Sequence, residues 1–306
     1  MQSREIVSNT CPIVVVSCLR DIKLLALQAQ SIDQWLCDPH DIYIIVNETV
    51  LKKEWDRQFD FYCRSWYKNH NLNILYKEDF DCSWSKNPSP KWSGWDNQQL
   101  LKLAISSKLN SACYFVLDSQ NFLINSWSTK NYLFKDKCPG RKNVYTMNKN
   151  TWIEYSKSFG LNQELPTHLV MTISTPIYLR SDLVNSLISN FGGLKDFSVW
   201  FFEQDCSLSE FVLYYLWAEK NGGYDLFHYD VGIDNTWNGP MMRLQEEKSI
   251  LKERDLMFFL ANLGKRKKES WVSITHNSWT ILSGNEFDTL SKSLKNHNID
   301  IGLMFN

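Results

Sequence analysis

Short apolar runs alternate with longer amphipathic stretches through the first 120 residues, a pattern that predicts strands and helices in turn. Ile13-Val14-Val15-Val16 predicts a β-branched first strand. Residues 20–35 follow, with Leu24, Leu25, Leu27 and Ile32 at helical spacing. A second strand is expected over residues 41–46, an aromatic-rich helix over 51–67 and a short third strand over 72–76. Residues 78–94 are polar and carry Pro88 and Pro90, which predicts irregular chain. A loop of that length in a compact domain is commonly a lid or a binding loop. Helical spacing resumes over residues 95–109, with Leu100, Leu103, Ala104 and Leu109 on one side, and leads into a further strand. Strands alternating with helices argue for a parallel sheet with helices on its faces.

The second half is more mixed. It predicts strands over residues 143–147, 168–173 and 271–275, and helices over 181–191, 207–220, 246–263 and 285–296. In the helix over 207–220, Ser207 is placed as the N-cap and Glu210 at the reciprocal capping-box position. No repeat and no linker divides the chain, so one domain over residues 1–306 is expected.

One segment stands out chemically. Tyr114-Phe115-Val116-Leu117 is apolar throughout and ends abruptly in Asp118-Ser119-Gln120-Asn121, before Phe122-Leu123. A strand apolar at every position is covered on both faces. Ligands of open α/β sheets bind where such strands end, so Asp118 is expected at the functional edge.

Composition narrows the classes. The 306 residues are ample for a sizeable core, and 33 basic against 34 acidic side chains give a formal charge of -1. That balance predicts no field for gathering nucleic acid. The 13 Trp and 13 Tyr side chains pack well in cores and also stack on sugars and bases. Eight scattered cysteines include no Cys-x-x-Cys pair, which excludes common zinc and redox spacings and suits a reducing cytosol. The first ten residues are polar, the apolar run behind them is short for a secretory leader, and no stretch is long enough to cross a bilayer. A cytoplasmic protein, at most peripheral to the membrane's inner face, is expected. Dinucleotide, Walker and Gly-x-Ser-x-Gly fingerprints are all missing from the sequence.

Four segments, in order, resemble bacterial GT-A-fold glycosyltransferases of surface-polysaccharide biosynthesis. They are Val15-Val16-Ser17-Cys18-Leu19-Arg20-Asp21; Trp92-Ser93-Gly94-Trp95-Asp96-Asn97-Gln98-Gln99 leading into Leu117-Asp118-Ser119-Gln120; Thr175-Pro176-Ile177-Tyr178-Leu179-Arg180; and Ser207-Leu208-Ser209-Glu210-Phe211. The resemblance implies an α/β, GT-A-like fold: a mostly parallel, Rossmann-like sheet flanked by helices, with a mixed C-terminal part. It implies a nucleotide-sugar half over residues 1–125 and an acceptor half over 126–306. The activity implied is sugar transfer from a nucleoside-diphosphate sugar, of UDP type, onto a glycan acceptor of capsule or lipopolysaccharide kind. A GT-A-shaped module that binds nucleotide or glycan without transfer is the alternative.

The resemblance also implies roles. Asp21 and Asn47 fall near the nucleotide, Trp92 and Trp95 over the donor, and Gln98, Gln99 and Lys102 near its sugar or phosphate. Asp118, Ser119 and Gln120 fall at the ribose, diphosphate or cation. A divalent cation, manganese or magnesium, is implied at Asp118, with His276 as a late ligand or a structural histidine. Gln120 stands where the family's Asp-x-Asp element has its second acid, and it offers only a neutral carbonyl oxygen. The general base for the acceptor hydroxyl falls to Glu210, unless Glu210 is half of a capping box, with Asp205 and Glu203 in reserve. The basic run Lys265-Arg266-Lys267-Lys268 reads as a solvated loop or as a contact for an anionic, lipid-linked acceptor.

Overall fold

The computed structural model describes residues 11–48, 50–86, 90–123, 126–128, 137–140, 144–145, 156–157, 159–160, 169–170, 175–203, 209–230 and 271–273. Among them Ile13–Ser17 (β1), Asp41–Val46 (β2), Asn71–Tyr76 (β3) and Cys113–Asp118 (β4) lie parallel in one sheet. Ile22–Trp35 (α1), Lys52–Tyr62 (α2) and Pro90–Ala104 (α3) connect them. Three short strands follow: Asn121–Leu123 (β5), Cys138–Gly140 (β6), and Val144–Tyr145 (β7), which pairs with Leu169–Val170 (β8). Ile177–Arg180 (β9) then joins the main sheet antiparallel to β4, giving the order β3-β2-β1-β4-β9. His228–Asp230 (β10) pairs with β6, and Trp271–Ser273 (β11) pairs antiparallel with β5.

The period of two along each strand sorts side chains between two cores. Ile13, Val15, Phe115 and Leu117 pack with α1, α2 and the buried rings of Trp55 and Phe59. Val14, Val16, Tyr114 and Val116 face α3 and the helices Ser181–Asn190, Leu194–Glu203 and Glu210–Lys220. Full burial of one such side chain stabilises the fold by roughly 1.5–3 kcal/mol. A sheet apolar on both faces therefore needs helices on both, and it has them. Cys11, Cys63, Cys113 and Cys138 are buried among these apolar groups, as small hydrophobes would be.

Several boundaries differ from expectation. Helix α3 begins at Pro90, not at residue 95, so part of the expected loop is helical. A proline is tolerated at the first helical position because its missing N–H has no helical acceptor there. The helix expected over 51–67 breaks after Tyr62 into a 3-10 turn, Arg64–Tyr67. The helix Glu210–Lys220 has Ser209 as its N-cap residue, which puts Glu210 at the first helical position and rules out the capping box with Ser207. The helix Leu194–Glu203 was not expected; it buries Phe197, Ser198 and Phe201. Strands expected over 143–147 and 168–173 are two-residue pairs. The helices expected over 246–263 and 285–296 lie outside the described residues. Among the described residues no helix is long and apolar enough to cross a membrane.

Candidate active site

Strand order fixes where a site can be. The chain leaves β1 toward β2 on one side and reaches β4 on the other, so the carboxyl ends of β1 and β4 diverge. Such a switch point leaves a crevice between the two loops, where ligands of open α/β sheets bind. A cleft of about 220 Å³ occupies this position. Arg20 and Asp21 border it after β1, and Asp118, Ser119 and Gln120 after β4.

The remaining wall is one face of α3, with Leu24 of α1 beside it. Trp95, Gln98, Gln99 and Lys102 follow the spacing i, i+3, i+4, i+7 and all border the cleft. Leu100, Leu101, Leu103 and Ala104 lie buried in the core. Of the ten residues expected at a donor, eight border this cleft, Asn47 does not, and the Trp92 side chain lies outside the described residues. Asn47 ties the end of β2 to α3 instead, its Nδ2 donating to the Gly94 carbonyl at 2.8 Å. Asn47→Ala removes that donor, and a loss of about 1 kcal/mol of unfolding free energy is expected. An unchanged urea midpoint would show that the tie is idle.

The centre of the cleft is a chain of charges. Lys102 Nζ lies 2.9 Å from Asp118 Oδ1 and 3.0 Å from Glu210 Oε1. The Asp118 side chain is 24% exposed, that of Lys102 4% and that of Glu210 1%, so the charges run from the cleft into the core. Burial disfavours the ammonium, but Asp118 and Glu210 outweigh it and raise the Lys102 pKa. Burial pushes the Glu210 carboxyl up, against the opposing pull of Lys102. The Gln99 amide, oriented by its hydrogen-bond network, donates to the same carboxylate. The Phe211 ring centroid lies 5.3 Å from the ammonium, within cation–π range.

The turn after β4 is held from several sides. Gln98 Nε2 approaches Asp118 Oδ1 at 3.4 Å, and the Thr175 hydroxyl donates to Asp118 Oδ2 at 2.6 Å. The Asp118 N–H donates to Asn121 Oδ1 at 2.7 Å. From α1, Gln28 Nε2 donates to the carbonyls of Asp118 at 2.8 Å and Asn121 at 2.7 Å. Sequence reasoning singled out neither Gln28, Asn121 nor Thr175 for a role. The available signal for Gln28 was an amide set among Leu24, Leu25 and Leu27 on an apolar helix.

The expected catalytic and metal residues fare differently. Glu210 does not border the cleft: its carboxylate is buried and bonded by Lys102 and Gln99, surroundings that suit an anchor for Lys102 rather than a base reaching an acceptor hydroxyl. Glu203 is exposed at the end of its helix. Asp205, His276, the Trp92 side chain and residues 265–268 lie outside the described residues. No group of three or more His, Cys, Asp or Glu side chains able to hold a metal occurs among the described residues.

A doubly wound α/β sheet with a polar cleft at its switch point defines a domain of the Rossmann-like class. The chain belongs to DUF6492, a family of unknown function whose model matches residues 9–262. No curated protein matches it in sequence. Among solved structures it is similar to mouse xyloside xylosyltransferase 1, at 9% identity over 81% of this chain and 92% of that one, with a TM-score of 0.43. It is similar to the glycosyltransferase GlyE of Streptococcus pneumoniae TIGR4 at 10% identity, covering 97% of this chain and 63% of that one, with a TM-score of 0.46. A third is the galactosyltransferase LgtC in complex with donor and acceptor sugar analogs, at 11% identity over 92% and 95% of the two chains, with a TM-score of 0.41. Likeness this loose assigns no activity.

Proposed function

We propose that this chain is a GT-A-type glycosyltransferase that moves a sugar from a nucleoside-diphosphate sugar, of UDP type, onto a glycan acceptor of surface-polysaccharide kind. The observation that carries this reading is the convergence of eight candidate residues on one cleft at the sheet's switch point. Two of the four ordered segments that resemble such enzymes, the one ending in Asp21 and the one from Trp92 to Gln120, supply the two loops and the helix face that border it. Trp95 offers an aromatic wall for a base or a sugar, and Lys102 a fixed positive charge for a diphosphate. The glutamines and Ser119 offer neutral hydrogen bonds suited to hydroxyl groups.

The experiment is isothermal titration of the full chain with UDP-, GDP- and dTDP-sugars. At least one is expected to bind, and Trp95→Ala is expected to weaken that binding about tenfold, the scale of one lost stacking contact. Silence from every nucleotide sugar would sink the proposal. The alternative, a module that binds without transferring, is favoured by the burial of Glu210 away from the cleft. It predicts nucleotide-sugar binding with no release of nucleoside diphosphate in the presence of acceptor glycans or water. The transferase releases it.

A further inference from the structure

A divalent cation, which the resemblance implies at Asp118, does not fit the groups present. Such a cation needs carboxylate oxygens free to coordinate it and little positive charge nearby. Each carboxylate bordering the cleft already has a basic partner: Asp21 lies 3.5 Å from Arg20 Nε, and Asp118 Oδ1 lies 2.9 Å from Lys102 Nζ. Asp118 Oδ2 accepts the Thr175 hydroxyl at 2.6 Å. Gln120, two residues on, adds no charge. A metal ion coordinated by Asp118 would therefore sit beside a buried ammonium.

The ammonium cannot readily swing away. Its other partner, Glu210, is 1% exposed, so departure would leave a carboxylate charged and unpaired in the core. Gln99 and the Phe211 ring close in on the same two groups. An ammonium has three N–H donors, and two face Asp118 and Glu210. Beside those carboxylates the ammonium meets the Phe211 ring, and Lys102 borders the cleft.

We propose that Lys102 is the resident cation of this cleft, held by Glu210, and that it meets the diphosphate of a nucleotide without a divalent metal. This inference rests on the reading of the cleft as a nucleoside-diphosphate-sugar site. Glu210 is a positioning residue in it, acting through Lys102, and Asp118 holds the ammonium from the cleft side.

The test titrates the full chain with UDP, GDP, CDP and dTDP, in excess EDTA and again in saturating manganese. One nucleotide is expected to bind with a dissociation constant that agrees within about twofold between the two buffers. A tenfold or greater tightening by manganese would overturn the inference. Silence from all four nucleotides in both buffers would overturn the site reading itself, and is told apart from metal dependence because a metal-dependent site binds in manganese. The double variant Lys102→Met/Glu210→Gln removes the cation and its buried counter-charge together. It is expected to lose at least tenfold in affinity in EDTA and to recover part of that loss in manganese, a dependence that a purely structural role for Lys102 would not create. Wild-type affinity in EDTA for the double variant, once its fold is verified by circular dichroism, would equally overturn the inference. Should the double variant fail to fold, the wild-type comparison alone decides.

Discussion

Lys102→Met is expected to lower the unfolding free energy by about 3–5 kcal/mol, the usual cost of stranding a buried charge. Domains are stable by only about 5–15 kcal/mol, so this one side chain decides much of the margin. The cause is Glu210, which is 1% exposed and would lose its ammonium while remaining in the core. Methionine fills the space of the lysine stem, so little of the loss comes from packing. The double variant Lys102→Met/Glu210→Gln is expected to recover most of the stability, since a neutral amide can still pair with Gln99. Urea unfolding followed by circular dichroism separates the three proteins. Equal midpoints for wild type and Lys102→Met would show that Glu210 takes up a proton or reaches water at little cost.

Acid is expected to destabilise the protein through two buried histidines that the fold keeps neutral. Buried His228 has both ring nitrogens engaged in its neutral form: Nδ1 lies 3.2 Å from the Pro139 carbonyl and Nε2 lies 2.6 Å from the Tyr214 hydroxyl. Burial lowers its pKa from 6.5 to about 4. Burial, and then the neighbouring His70, lower that of His40 from 6.5 to about 4. A folded pKa below the unfolded one means that the unfolded chain binds protons first. Stability is therefore full above pH 6.5 and falls as pH drops toward 4, by about 3 kcal/mol for His228 alone. Thermal midpoints measured across this range test the claim. His228→Phe/Tyr214→Phe, which removes the titrating ring and its hydroxyl partner together, should flatten the slope. An unchanged slope would assign the acid sensitivity to other groups.

The parts of this architecture that rest on local periodicity could be read from the sequence. Strands β1, β2 and β4 are apolar runs of strand length between polar turns, and only a sheet covered on both faces gives that pattern. The cleft residues on α3 were named through the family resemblance, and helical spacing explains why they meet: Trp95, Gln98, Gln99 and Lys102 share one helical face. What was hidden depends on separation along the chain. Lys102 and Glu210 are 108 residues apart, and neither sequence neighbourhood announces the other. Asn47 reads as a polar strand end in either role, and its bond to Gly94 depends on where α3 begins. The helix Leu194–Glu203 starts directly after the positive-φ pair Gly192-Gly193, a turn signal that masks the apolar spacing of Leu194, Phe197 and Phe201. Strand β9 is four residues long, too short for periodicity to reveal its direction against β4.

The amide of Gln28 has a consequence for how such a cleft could change its preferences. It joins the backbone on both sides of the turn after β4 to the middle of α1, a helix packed against the sheet. Displacing that turn would disturb the hydrophobic interior, so the floor is conformationally stiff. Trp95 and Gln98 on α3 and the polar tip at Ser119 and Gln120 are bound neither to Gln28 nor to the buried Glu210. Ligand preference can therefore drift through substitutions on the walls, while the geometry of Asp118 stays constant. Plasticity and permanence are thus assigned to different pieces of one small crevice.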